Sequence, residues 1–436
     1  MSSIYAFCRS KHLPMLGFFL VVMEMLFSLQ ACSPSANYKK EIKNMTAQDI
    51  LGNPDYLAIC YGGYRDTTRD IQPTIPELTE DLRILSAMGI KLLRTYNVEY
   101  EEAANLIKAI ENLKAENSDF EMYLMLGAWI DCKDARTAHP NHHEESENNA
   151  PEIQRAIQLA KRHPDIVKII AVGNEAMVKW AASYYVEPGI ILKWVKHLQA
   201  LKSSGALPSD LWITSSDNFA SWGGGSPDYH GTDLNELIKS VDFISMHTYP
   251  MHDTHYNPAF WKVPESEKKF TELEKARSAM QRSLRYAMAQ YDSVVHYMKS
   301  LGVNKPVYIG ETGWASQSNE HYGNDGSRAN DEFKSTLYYH LIRKWTKDAG
   351  LTCFYFEAFD EPWKDAGNPM GSENHFGLIN IHSQAKCMLW DAVDEGVFEG
   401  LKRGGKAITK TYNGNLDSLL KQVKSPPALD EINLNS

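Results

Sequence analysis

From Leu57 onward the chain alternates short apolar runs rich in β-branched and aromatic residues with longer stretches whose apolar residues recur every three to four positions. The first pattern predicts buried strands and the second predicts helices that cover them. Predicted strands are Leu57–Tyr61, Lys91–Tyr96, Met122–Ala128, Val167–Val172, Leu211–Ser215, Phe243–His247, Val307–Ile309 and Thr352–Phe356. Helical stretches lie between most of them, such as Pro76–Met88, Glu101–Lys114 and Ile153–Arg162, where Ile153, Ala156, Ile157 and Ala160 share one face. Eight such units predict an α/β protein, a closed (β/α)8 TIM barrel. No Pro/Gly/Ser-rich linker interrupts the pattern, so one catalytic-size domain is expected over 55–415, with a tail at 416–436.

Ahead of the barrel, Arg9, Lys11 and His12 precede an apolar run from Leu13 to Leu29 that ends in Leu29-Gln30-Ala31-Cys32. This is the layout of a bacterial lipoprotein signal over 1–31. Cys32 would become the lipidated first residue of an exported cell-envelope protein, in the outer membrane and facing the periplasm or the surface. Residues 32–54 would be its tether. Gln30 is an unusual residue in that motif, and Glu24 is costly within the run. The competing reading is an uncleaved membrane anchor.

Composition narrows the partners. The net charge is −10, from 45 basic and 55 acidic residues, with no basic stripe of the kind a phosphate backbone requires, so nucleic acid is not expected. The 22 Tyr and 10 Trp offer flat faces on which sugar rings stack, although core filling accounts for most such residues. Outside the leader, Cys60, Cys132, Cys353 and Cys387 form no C-x-x-C pair, so zinc and redox spacings are absent and no cofactor is implied. Cys60 and Cys353 fall on the first and last strands, which neighbour each other in a closed barrel, and a bridge between them is open.

A barrel puts its chemistry at the C-terminal ends of its strands. Those ends read Tyr61-Gly62-Gly63, Arg94-Thr95-Tyr96-Asn97, Gly127-Ala128-Trp129, Gly173-Asn174-Glu175, Ser216-Asp217-Asn218, His247-Thr248-Tyr249, Gly310-Glu311-Thr312-Gly313-Trp314 and Glu357-Ala358-Phe359-Asp360-Glu361. Glu175 and Glu311 stand at the fourth and seventh ends, which face each other across a barrel mouth. Glycosidic hydrolysis needs such a pair, one carboxyl to protonate the leaving oxygen and one to attack the anomeric carbon. Either Glu alone is equally well a capping or ion-paired carboxylate; the opposed pair is hard to explain by stability. Asn174 is placed to bond a sugar 2-hydroxyl.

With these residues in place the chain resembles glycoside hydrolase family 17, the β-1,3-glucanases and β-1,3-glucan transglycosylases. The resemblance runs from about Ile59 to Asn380, through Cys60-Tyr61-Gly62, Leu93-Arg94-Thr95-Tyr96, Ile170-Ala171-Val172-Gly173-Asn174-Glu175, Glu311-Thr312-Gly313-Trp314, Phe359-Asp360-Glu361-Pro362-Trp363-Lys364 and Glu373-Asn374-His375-Phe376-Gly377-Leu378. It implies a retaining mechanism with Glu175 as acid/base and Glu311 as nucleophile. It also implies that Glu361, Lys364 and Glu373 are charged neighbours of the site and that Tyr61 and Tyr96 line the cleft. Arg94, Tyr249 and Trp314 complete the expected substrate contacts, with Trp314 under the sugar being attacked. The bland alternatives are a surface ion pair for Glu361 and Lys364, and a Trp314 that packs beneath the mouth.

Two loops depart from the plant enzymes of that family. Asp131–Asn149 is long and holds His139, His142, His143, Glu144, Glu145 and Glu147, ligand types without a metal spacing, so a solvated loop is expected there. Pro250–Lys269 carries Tyr256, Phe260 and Trp261, and either loop could wall off one end of the cleft. The expected function is endo-acting hydrolysis of a laminarin-type β-1,3-glucan by a monomer. Transglycosylation or exo-acting β-1,3-glucosidase activity are alternatives on the same chemistry. A non-catalytic surface glycan-binding lipoprotein is the alternative from another class.

Overall fold

The computed structural model describes residues 45–431. The expected leader 1–31 and Cys32 lie outside them. Eight parallel strands close into one barrel: β1 Leu57–Cys60, β2 Ile90–Arg94, β3 Tyr123–Ala128, β4 Val167–Asn174, β5 Trp212–Asn218, β6 Ile244–His247, β7 Val307–Gly313 and β8 Cys353–Phe356. Neighbours in sequence are neighbours in the barrel, and β1 pairs with β8 through Ala58 and Phe354. Each strand falls where its apolar run predicts. Three run further, to Asn174, Asn218 and Gly313, because pairing continues through polar residues such as Asn174 with Ser216 and Asn218 with His247. An apolar pattern cannot mark that extension, since the top layer of this barrel is polar.

Among the described residues, the helices of nine residues or more lie outside the barrel: α1 Ile75–Ala87, α2 Glu102–Glu116, α3 Asn149–Arg162, α4 Pro188–Ser203, α5 Thr232–Ser240, α6 Glu272–Ser300 and α7 Glu332–Asp348. Local chemistry sets their starts. Thr74 with Glu77, and Thr271 with Glu274, form capping boxes in which side chain and backbone bond reciprocally. The predicted face of α3, Ile153, Ala156, Ile157 and Ala160, is buried against the strands.

Cys60 and Cys353 sit on adjacent strands as free, buried thiols. With Ala58 level with Phe354, Cys60 stands three residues beyond the level of Cys353. That stagger is about 10 Å along the strands, more than the roughly 7 Å between Cα atoms that a disulfide can span. The bridge left open by the sequence is therefore not formed.

The ends of the described chain pack on the barrel. Ala47–Ile50 is a short capped helix with Ala47 and Ile50 buried. Beyond 416, Leu416–Leu420 is helical, Ala428 bridges to Val263, and the Ser425 N–H donates to Glu272. Arg403 reaches back to Asp81 in α1.

Candidate active site

The fourth strand ends in an unusual turn. Gly173 has φ +80°, and a Cβ there would meet Ala176 at 2.9 Å. Glu175 has φ +46°, in the left-handed region, where a residue with a side chain costs about 1–3 kcal/mol unless its surroundings hold it. They do. Its N–H donates to Ser216 O at 3.0 Å. The Met177 N–H, two residues on, donates to the buried Asp217 carboxylate at 2.7 Å. This turn aims Glu175 at the barrel axis.

Glu311 comes from within β7, one level with His247 of β6. One carboxylate oxygen of Glu175 and one of Glu311 lie within 4.8 Å of each other and of a His247 ring nitrogen. Three donors converge on Glu311: the Tyr249 hydroxyl at 2.7 Å, the Tyr96 hydroxyl at 3.0 Å, and the buried guanidinium of Arg94. Arg94 also donates to Gly310 O and to Asn174 Oδ1, which leaves the Asn174 amide nitrogen free to face a ligand. His247 bonds Glu175 Oε1 through Nδ1 at 3.0 Å and Ser216 Oγ through Nε2 at 2.8 Å.

These surroundings drive the two carboxyls apart. Burial raises the pKa of Glu175 far above the carboxylate range, and the negative charge of Glu311 raises it further. Burial would raise Glu311 too, but His247, Arg94, the Tyr249 hydroxyl and Lys364 outweigh it and hold it well below that range. Burial also drives His247 down to about 4, so at neutral pH the imidazole is uncharged and Arg94 is the full charge in contact with Glu311. Asp217 is pushed up to about 7, chiefly by burial. The arrangement presents one protonated and one ionised carboxyl side by side, the division of labour that acid/base and nucleophilic chemistry require.

A cleft of roughly 540 Å³ opens beside the pair. Asn174 and Glu311 line it together with Tyr96, Glu361, Lys364 and Glu373. Lys364 pairs with Glu357 at 3.1 Å and with Glu361 at 3.6 Å, so it reaches Glu311 only at a distance, and Arg94 supplies the direct contact. Tyr64, Tyr100, Trp129 and Trp363 also line it, as does Arg69, whose guanidinium stacks over Trp363 and Tyr100.

Three of the expected substrate contacts, Tyr61, Trp314 and Arg94, are buried away from the cleft. Tyr61 is buried with its hydroxyl on Asp81 at 3.1 Å, because its side chain points out of the barrel toward α1. Trp314 is wholly buried, packed against Trp261 and Tyr338 with its indole N–H on Ala329 O at 2.9 Å, so it supports the end of β7 and touches no cleft. Arg94 is likewise buried and acts through Glu311 and Asn174.

His247, Asp217, Trp129 and Arg69 are site residues the sequence reading passed over. The first three stood in the strand-end runs; Arg69, in the loop after β1, carried no signal.

The long loop after β3 is an antiparallel hairpin of Cys132–Lys133 with Asn141–Glu145. Its base brings Asp131 and Arg136 to the cleft, where Asp131 accepts from the Trp129 indole and from Arg136, both at 2.7 Å. Its histidines are not gathered; His142 stacks on Tyr185. Among the described residues, the one cluster with metal-ligand spacing is Glu175, His247 and Glu311. Both nitrogens of His247 and both oxygens of Glu311 already have protein partners, so an ion would have to displace them. In the other loop, Trp261 is buried and Phe260 stacks on Tyr286, leaving Tyr256 exposed.

Residues 58–377 match the model of the BtgE/BtgC glycoside hydrolase domain. The chain belongs to this glycoside hydrolase family. Among solved structures it is similar to an endo-laminarinase from Formosa Hel1_33_131, with 63% identity, a TM-score of 0.88, and 90% of this chain and 100% of that one covered. A β-1,3-glucanosyltransferase of Rhizomucor miehei, 20% identical with a TM-score of 0.50 over 75% of this chain and 93% of that one, shares the fold. Among curated family members, the putative glucan endo-1,3-beta-glucosidase btgC of Aspergillus niger is 22% identical over 362 residues, 79% of this chain. The chain spans 44% of that relative's length.

Proposed function

We propose that the protein is a retaining, endo-acting hydrolase of laminarin-type β-1,3-glucan, of the kind grouped in glycoside hydrolase family 17. The carboxyl pair carries the reading. One oxygen of each carboxyl lies within 4.8 Å of the other, an approach nearer to the spacing of about 5–5.5 Å of retaining enzymes than to the roughly 6.5–9.5 Å that admits a water in inverting ones. In this reading the ionised Glu311 attacks the anomeric carbon while Glu175 gives its proton to the leaving oxygen. Glu175 then takes a proton from water, which displaces the sugar from Glu311. The Asn174 amide donates to the 2-hydroxyl of the reacting sugar.

The substrate class draws support from the 63% identity to an endo-laminarinase across that enzyme's full length. A neutral glucan offers no charge to grip, and the cleft answers with aromatic faces from Tyr64, Tyr100, Trp129 and Trp363.

The test is a time course on long β-1,3-glucan with products sized. A rapid fall in chain length with mixed oligosaccharides is expected. Glucose as the sole product would replace the endo reading by an exo one, and products longer than the substrate would replace hydrolysis by transfer. Glu311→Gln should fold and have no turnover; an active variant would remove Glu311 as nucleophile. The Leu29-Gln30-Ala31-Cys32 ending supports a lipid anchor on Cys32. Cys32→Ser should release the protein from the membrane fraction or leave it unprocessed, and a wild-type protein that fractionates as soluble would refute the anchor.

A further inference from the structure

Asp217 is fully buried at the end of β5, and the two-glutamate mechanism makes no use of it. Its two oxygens are taken by backbone N–H groups, Oδ2 by Met177 and Oδ1 by Asn218, each at 2.7 Å. The first contact spans strands: it ties the turn that carries Glu175 to β5. That turn holds Glu175 in the left-handed region, which a residue with a side chain occupies only when contacts around it enforce it. Three hydrogen bonds do so here. The Glu175 N–H meets Ser216 O, Ala176 O accepts the Val186 N–H at 2.7 Å, and the Met177 N–H meets Asp217. Only the last uses a side chain, so only it depends on the residue at one position.

We infer that Asp217 is a positioning residue for the acid/base, a clamp that fixes the strained turn so that the Glu175 carboxyl stays on His247 Nδ1 and faces the leaving oxygen. The inference rests on the mechanism proposed above. Asparagine at this position has the same shape but one acceptor oxygen; its amide nitrogen would confront an N–H, and one of the two backbone contacts must break. A misplaced acid slows the steps that use it and spares those that do not.

The test compares wild type, Asp217→Asn and Glu175→Ala on two substrates, laminarin and the 2,4-dinitrophenyl β-glycoside of laminaribiose, whose leaving group needs no proton. Asp217→Asn should lose on the order of 100-fold in kcat on laminarin with KM little changed, the scale expected of a 1 Å misplacement. On the aryl glycoside it should keep the initial burst of dinitrophenol, and azide should raise its turnover and yield the β-glycosyl azide. Combined with Glu175→Ala, it should cause no further loss in azide. Equal losses on both substrates, no azide response, or a further 100-fold loss in the double variant would each overturn the clamp. If Glu175→Ala itself ignores azide, the acid/base assignment fails, and the clamp with it. Should Asp217→Asn not fold, Asp217→Ser, smaller and with one hydroxyl acceptor, takes the same comparison.

Discussion

Replacing Arg94 by Met should destabilise the protein by an amount that depends on pH. The guanidinium is 1% exposed and contacts Glu311, Asn174 and Gly310 O. Without it, buried Glu311 keeps only the hydroxyls of Tyr249 and Tyr96. Breaking a buried ion pair from one side costs about 3–5 kcal/mol, but Glu311 can escape most of that by taking a proton. In the wild type the carboxyl is held below its unfolded value of about 4.3. Its contribution to stability is therefore complete above that pH and is lost as pH falls toward the depressed folded value. In the variant Arg94 no longer opposes burial, so the folded value of Glu311 rises and the deficit relative to the wild type grows as pH rises through and beyond the wild-type folded value. The deficit should be smaller near pH 4 than near pH 8, where it should reach about 3–5 kcal/mol; it falls to the lost neutral hydrogen bonds, roughly 1–2 kcal/mol, only below the depressed folded value of Glu311. Urea unfolding of both proteins at the two pH values measures it. A deficit equal at both would mean that Arg94 serves packing alone and that it does not hold Glu311 ionised.

The pH profile of kcat/KM should be displaced outward on both limbs. Glu175 must be protonated and is raised, so activity should persist well above the ordinary carboxylate range and fall as pH rises through the raised value. Glu311 must be ionised and is lowered, so the acid limb should lie below it; an alkaline limb near 4–5 would contradict the assignment. Glu175→Ala should retain turnover on a dinitrophenyl glycoside with azide and give a β-azide, whereas an α-azide would mean inversion. Trp314→Ala should cost about 3–5 kcal/mol of stability while activity per folded molecule is kept. A variant of normal stability that loses turnover on long and short glucans alike would return Trp314 to the substrate.

What the sequence conveyed followed from two periodicities. Apolar runs located all eight strands, and the strand-end rule brought Glu175, Glu311, Arg94, Tyr96 and Tyr249 to one point from four different strands. It failed where a residue at a strand end points sideways. Tyr61 and Trp314 are as close in sequence to the chemistry as Tyr96, but their rings fill space between strand and helix. Alternation about a strand sets that choice, and the pattern loses its meaning where the strand bends into its loop. His247 and Asp217 were missed for a related reason: a buried polar residue in an apolar run reads as a satisfied core group until its partner is known, and both partners lie on other strands.

The seam between β1 and β8 also decides when the molecule can begin to work. Ala58 pairs with Phe354, a separation of 296 residues (354 − 58), and contacts that distant in sequence form late because the intervening chain must be ordered first. During synthesis Arg94, Glu175 and Glu311 all leave the ribosome before Phe354 does. A nascent chain halted before that point would therefore carry the proposed acid/base, the proposed nucleophile and Arg94 on an open, unclosed sheet. The wall of the cleft that holds Lys364 and Trp363 would not yet exist, and the proposed hydrolysis would switch on only with the last strand.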